Sequence, residues 1–284
     1  MLLTIKKSAA NILTIVNLLL GFTSIILISI SFIDSQDSIR TACILIFIAT
    51  LIDVFDGKVA RKFGTSSDFG KELDSLADLV SFCLAPSVLM FSYSYGLLDL
   101  KIFYLLMLSS LPVVCGAIRL AKFNAYTEYS SQSHYIGLPT PSNAMFVCSS
   151  IFFMINMDFI LYDKELVGML NLINPENKES LLIFQWMKYP FSFIYGINSY
   201  VMIMVCSLSS LLLISNMKYS KFPALKLNVS VVIGGLLFFI IGTLAILNKE
   251  YHIVILFFIS YYIVSGLIKT MIEFFLSFRR INES

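Results

Sequence analysis

With 284 residues, 58% of them hydrophobic and only 13% charged, the chain has about half the charge of a soluble domain, for which roughly 25% is usual. Apolar runs near twenty residues long recur along its whole length, which excludes water as its main solvent and implies a polytopic membrane protein. The net charge of +2 argues against nucleic acid as a partner.

In chain order, eight spans are expected, near 11–32, 41–60, 74–95, 102–121, 141–161, 195–215, 229–247 and 253–276. The fold class is therefore all-α, a bundle of about eight transmembrane helices. The first span is too long for the apolar stretch of a leader peptide, and no small-x-small cleavage site follows it, so it reads as a membrane helix. Cys43, Cys83, Cys115, Cys148 and Cys206 all fall inside apolar runs without paired or metal-like spacing, and they read as small buried hydrophobes. The connection 162–190, which holds Trp186, is the long outer loop and reads as short interfacial helices. An even number of spans puts both termini on one side. The ends and loops of that side carry twelve Lys and Arg against six opposite, which places the termini in the cytoplasm, the orientation expected in an inner (cytoplasmic) membrane.

The second and third spans meet on that cytoplasmic side in "LIDVFDGKVARKFGTSSDFGKELDSLADLV", Leu51 to Val80. Asp53 and Asp56 are three residues apart, Asp74 and Asp78 four apart, and both spacings put a pair on one helix face. The short turn between the spans folds the second pair back toward the first, so four carboxylates converge. Lys58, Arg61, Lys62 and Lys71 could offset the repulsion as salt bridges; divalent cations would do it better. Oxygen ligands without His or Cys favour Mg²⁺ or Mn²⁺, and two such ions suit phosphate displacement. Gly57, Ala60 and Gly70 remove bulk beside the carboxylates, and Arg61 offers a planar cation for phosphate.

The pattern Asp53-x2-Asp56-Gly57-x2-Ala60-Arg61-x8-Gly70-x3-Asp74-x3-Asp78 resembles the signature of the CDP-alcohol phosphotransferase family at every fixed position. The resemblance implies a six-helix catalytic core, here 1–215, with 216–284 adding two helices to the same membrane domain. It implies transfer of a phosphatidyl group from a CDP-linked lipid to an alcohol, releasing CMP. It further implies two ions on Asp53, Asp56, Asp74 and Asp78, with Asp78 also the general base, and a cytidine diphosphate pocket lined by Asp56, Gly57, Ala60, Arg61 and Gly70. A homodimer is implied as well.

"NILTIVNLLLGF", "IRLAKFN" (Ile118 to Asn124), "YIGLPTPSNA" (Tyr135 to Ala144) and "SNMKYSKFP" resemble the phosphatidylserine synthase branch, with Lys122 where arginine is common. That branch implies CDP-diacylglycerol and L-serine as substrates. Serine needs a cation for its carboxylate, and Arg119 is the first choice, with Lys122 and Asn124 close by. Pro139 and Pro141 stiffen the entry to the fifth span and either shape a pocket rim with Ser142 and Asn143 as polar linings or only start the helix. Ordinary anchoring to lipid phosphates is the plain alternative for Arg119 and Lys122. Glycerol 3-phosphate would ask for a denser cation cluster. Choline would ask for an aromatic cage, for which Tyr126, Tyr129 and Tyr135 are available. CDP-archaeol is an alternative donor. A cation transporter would place its carboxylates near the midplane of repeated, broken helices, and no repeat is visible.

Overall fold

The computed structural model describes residues 2–30, 36–63, 67–95, 98, 100–126, 134–161, 200–220 and 251–282, with the backbone alone for 2–10, 36, 56–63, 126, 134, 156–161, 220, 251–252, 274 and 277–282. Among the described residues, five helical stretches are long and apolar enough to cross a membrane: Asn11–Ile30, Asp37–Phe55, Asp68–Tyr95, Ile102–Ala125 and Ile253–Glu273. Two helices stand where the fifth and sixth spans are expected, α7 (Thr140–Leu161), with a shorter apolar stretch at Thr140–Ile155, and α8 (Tyr200–Leu211). The expected seventh span, 229–247, and the loop 162–190 lie outside the described residues.

Helix α1 (Leu2–Ile30) packs most extensively on α2 (Gln36–Phe63). Its polarity is inverted relative to a soluble helix. Thr14, Asn17, Ser24 and Ile28 are buried, while Ile12, Ile15, Leu19, Phe22, Ile26 and Ile30 form the exposed stripe. In lipid the outer face carries the large apolar groups, and small or hydroxyl residues let helices approach. Ser24 Oγ donates to the Ala42 carbonyl at 3.2 Å, Ser81 Oγ donates to the Asn17 carbonyl at 2.9 Å, and a Cβ on Gly21 would collide with Ser81.

The third span is made of α3 (Asp68–Asp78), a π-helical turn (Leu79–Leu84) and α4 (Ala85–Tyr95). Pro86 lacks an N–H and interrupts the regular ladder, and the wider turn just before it absorbs the change. The Ala85 N–H accordingly reaches back to the Val80 carbonyl. The turn aims Ser81 at α1 and Cys83 at Gly116 of α6 (Leu111–Tyr126).

The fourth span breaks between α5 (Ile102–Ser109) and α6 for the same reason. Pro112 cannot donate to the Leu108 carbonyl, which instead accepts from Ser207 Oγ of α8 at 3.3 Å. The neighbouring Val113 N–H is diverted to Ser87 Oγ of α4 at 3.0 Å. A proline kink is thus stitched to two other helices.

One feature was not anticipated from sequence. β1 (His134–Ile136) pairs antiparallel with β2 (Lys218–Ser220), in register His134↔Ser220, Tyr135↔Tyr219 and Ile136↔Lys218. Gly137 ends β1 at φ +73°, its N–H donating to the Met217 carbonyl at 2.8 Å. A side chain there would be strained and would meet the Leu213 carbonyl. Helix α9 (Tyr251–Asn282) packs against α7 and this ribbon.

Candidate active site

Ser67 caps α3: its Oγ accepts from the Gly70 N–H at 3.1 Å, and its carbonyl accepts from the Lys71 N–H at 3.0 Å. This start phases the helix so that Asp74 and Asp78, one turn apart, point at Asp53 of α2. The three partly buried carboxylates each offer an oxygen, and these oxygens lie within 4.8 Å of one another. The convergence expected of the two helices is therefore present for Asp53, Asp74 and Asp78. Asp56 sits one turn along α2 from Asp53, but its side chain and those of Ala60 and Arg61 lie outside the described residues, as does the surrounding of Gly57. Gly70 is close to Asn11 of α1, where an added Cβ would stand 3.4 Å from Asn11 Oδ1 and 3.2 Å from Ser67 Oγ.

At 4.8 Å, two carboxylates repel by about 3.5 kcal/mol at an effective dielectric constant near 20. Three such pairs rival the whole stability of a typical domain, roughly 5–15 kcal/mol. A group of this kind needs positive charge or protons. Its donors are all carboxylate oxygens, with no His or Cys among them, and this set fits a hard divalent cation.

Arg119 of α6 stands beside this centre. Its guanidinium is in electrostatic reach of Asp78 first, then of Cys83, Tyr135 and Tyr262. Its Nε is buried and has no hydrogen-bond partner among the described residues. The remaining acceptor candidates are placed differently. Lys122 is exposed. Asn124 Nδ2 donates to Ser75 Oγ at 3.0 Å and to Glu72 at 3.4 Å, binding the end of α6 to α3 next to Asp74. Asn143 is fully buried between α7 and α8, donating to Ser210 Oγ at 3.3 Å and accepting from Ser209 Oγ at 2.9 Å. Ser142 is partly buried at the start of α7. Tyr126 and Tyr129, two members of the imagined aromatic cage, lie outside the described side chains.

Two residues near Arg119 escaped the sequence reading. Tyr262 lies within an apolar run of α9 that gives no sign of a site. Thr140, the first residue of α7, has a buried hydroxyl without a partner among the described residues, and its methyl packs toward Gly116. The prolines on either side of it were the only cue.

The CDP-alcohol phosphatidyltransferase family model matches residues 7–194. A CDP-diacylglycerol–serine O-phosphatidyltransferase of Helicobacter pylori J99 is 38% identical over 140 residues, covering 48% of this chain and 54% of its own length. One of the same name from Methanocaldococcus jannaschii is 32% identical over 217 residues, covering 75% of this chain and 74% of its own. An archaetidylserine synthase of Methanothermobacter thermautotrophicus is 36% identical over 141 residues, covering 49% and 55%. The chain spans about half the length of the Helicobacter relative, and about three quarters of the Methanocaldococcus one. With the family model covering well over half of its residues, and the carboxylates of the signature gathered at one point, the chain belongs to the CDP-alcohol phosphatidyltransferase family.

Proposed function

We propose that this protein is a phosphatidylserine synthase: it transfers the phosphatidyl group of CDP-diacylglycerol to the hydroxyl of L-serine and releases CMP. The observation that carries this reading is the juxtaposition of the Asp53–Asp74–Asp78 cluster with the partly buried Arg119, whose buried Nε has no hydrogen-bond partner among the described residues. The names of the relatives support the acceptor.

In this reading Asp53, Asp56, Asp74 and Asp78 hold two divalent ions, Mg²⁺ or Mn²⁺. When bound, they neutralise the pyrophosphate and the charge that develops on departing CMP. Gly57, Ala60, Arg61 and Gly70 line the cytidine diphosphate pocket. Arg119 binds the serine carboxylate, with Lys122, Asn124, Ser142 and Asn143 in the surrounding shell. Asp78 takes the proton from the serine hydroxyl, whose oxygen bonds to the lipid-bearing phosphorus as the bond from that phosphorus to the CMP oxygen breaks. General-base assistance of this kind is worth roughly 10²–10⁴-fold. Residues 1–215 hold the metal and nucleotide half of the site, and 216–284 complete the same membrane domain.

The active site opens to the cytoplasm at the inner membrane, a placement supported by the excess of Lys and Arg on that side. A homodimer is supported by the family resemblance. The test is CMP release by purified protein in detergent, with CDP-diacylglycerol and Mn²⁺ or Mg²⁺, with and without L-serine. Serine-dependent release that fails with glycerol 3-phosphate, choline and inositol phosphate is the expected result. Release with another alcohol would keep the carboxylate chemistry and overturn the serine assignment. No release in the absence of a gradient would favour ion transport.

A further inference from the structure

Helix α3 carries two of the three clustered carboxylates, yet little of it is buried. Ala77 is its only fully buried residue, while Phe69 and Leu76 are 69% and 58% exposed. Ser67 fixes where the helix starts, but a cap at one end leaves its rotation about its own axis open. That rotation decides whether Asp74 and Asp78 reach Asp53. A turn of about 10° moves a group about 5 Å from the axis by about 0.9 Å, several times the roughly 0.2 Å tolerance of a metal–ligand distance.

One side chain from another helix grips α3 on two successive turns. Asn124, near the end of α6, donates from Nδ2 to Ser75 Oγ at 3.0 Å and to both Glu72 carboxylate oxygens at 3.4 Å. The Ser75 hydroxyl in turn faces Asn124 Oδ1 at 3.3 Å and the Lys71 carbonyl at 3.1 Å. Glu72 and Ser75 lie about a third of a turn around the helix from the face of Asp74 and Asp78. The amide therefore sets the direction of the two carboxylates without touching them. Helix α6 is itself fixed two turns earlier, where Gly116 admits the Cys83 side chain and a Cβ would collide with it. Asn124 is also neutral, so it orients α3 without offsetting the negative charge that the cluster offers a cation.

We propose that Asn124 is a positioning residue of the carboxylate centre: by locking the rotation of α3 onto α6, it holds Asp74 and Asp78 toward Asp53 and so sets the affinity for a divalent cation. The inference rests on the metal half of the reading above and deepens it, giving Asn124 a role toward the carboxylates and not toward the acceptor.

The test measures Mn²⁺ binding to the purified protein in detergent, without substrate, from the electron paramagnetic resonance signal of free Mn²⁺. Asn124→Ala raises the dissociation constant about tenfold or more, as loss of a group that supports metal ligands does. The Mn²⁺ concentration for half-maximal CMP release rises in parallel, whereas the acceptor KM, read at saturating Mn²⁺, moves far less. The double variant Asn124→Asp/Glu72→Gln reverses the polarity of the link at unchanged net charge, and it binds Mn²⁺ nearly as the wild type does. A wild-type dissociation constant in Asn124→Ala overturns the inference even if Tm falls, because a merely structural bond lowers Tm and leaves Mn²⁺ binding alone. A double variant as weak as Asn124→Ala overturns it too. A raised acceptor KM at unchanged Mn²⁺ binding overturns it in favour of a contact with the acceptor. If the wild type binds no Mn²⁺, the metal reading and this inference fall together. CMP release with an alcohol other than serine overturns only the serine assignment, and the Mn²⁺ result still decides the role of Asn124.

Discussion

The strongest quantitative consequence of the site is a stability that depends on metal. The Asp53, Asp74 and Asp78 oxygens lie within 4.8 Å, so each pair repels by at least about 0.9 kcal/mol in bulk water and about 3.5 kcal/mol at a dielectric constant near 20. All three residues are partly exposed, which puts the pairwise figure between these limits, at roughly 2 kcal/mol. Asp74→Asn removes two of the three pairs and should relieve about 4 kcal/mol in metal-free protein. The wild type should respond to the ion itself: saturation to 100 times the dissociation constant stabilises by about 2.7 kcal/mol. Thermal unfolding in detergent, in EDTA and in Mn²⁺, separates the effects. The wild type should gain Tm with Mn²⁺. Asp74→Asn should start higher in EDTA and gain little. A wild-type Tm that ignores Mn²⁺, together with a lower Tm for Asp74→Asn in EDTA, would refute the reasoning, because the cluster would then be held by the protein's own cations or protons.

Three further outcomes follow from individual residues. Asp78→Asn should retain binding of CDP-diacylglycerol while turnover falls roughly 10²–10⁴-fold; near-normal CMP release would remove Asp78 from the base role. Gly137→Ala forces a Cβ onto a φ of +73° and against the Leu213 carbonyl, so it should cost more than the roughly 1–2 kcal/mol of a left-handed residue, read as a lower Tm. Burial pushes the Tyr219 phenol up to about 12 from its ordinary value of 10.0. The unfolded chain therefore ionises first, and the stability that the neutral phenol confers is present below pH 10 and lost between about 10 and 12. Tyr219→Phe should flatten that alkaline loss of Tm. At neutral pH it should leave Tm equal or higher, since the hydroxyl is buried without a partner among the described residues. A drop of several degrees at pH 7 would contradict this.

How much of this was legible in the sequence depended on whether a feature has a period. The carboxylates were legible because a spacing of three or four residues fixes a helix face regardless of what surrounds it. The start of α3 was placed late, at 74, since the charged stretch from Asp68 to Glu72 ends the hydropathy signal; Ser67 starts the helix by hydrogen bonding, which hydropathy does not measure. The π turn and the break before Pro112 follow from proline chemistry, but which helix would take up the released carbonyl is a tertiary fact, and Ser207 lies far along the chain. The ribbon was invisible for a simpler reason: strands of three residues carry no alternation to detect. Asn124 was read from its closeness to Arg119 in the chain and Asn143 from the proline-stiffened entry to the fifth span; their hydrogen bonds to Glu72, Ser75, Ser209 and Ser210 are tertiary facts that neither cue contains.

The size of the proposed acceptor bears on why Arg119 suits its carboxylate better than Lys122 does. In serine only the α and β carbons separate the carboxylate group from the hydroxyl oxygen, so the cation that grips one end and the base that serves the other must be near neighbours. Arg119 fits that condition: it is partly buried, and its guanidinium is in electrostatic reach of Asp78. Lys122 is on the same helix but exposed, and a hydrated ammonium there gains little from a single carboxylate in competition with water. A flat guanidinium also presents paired donors to a flat carboxylate, which an ammonium cannot do.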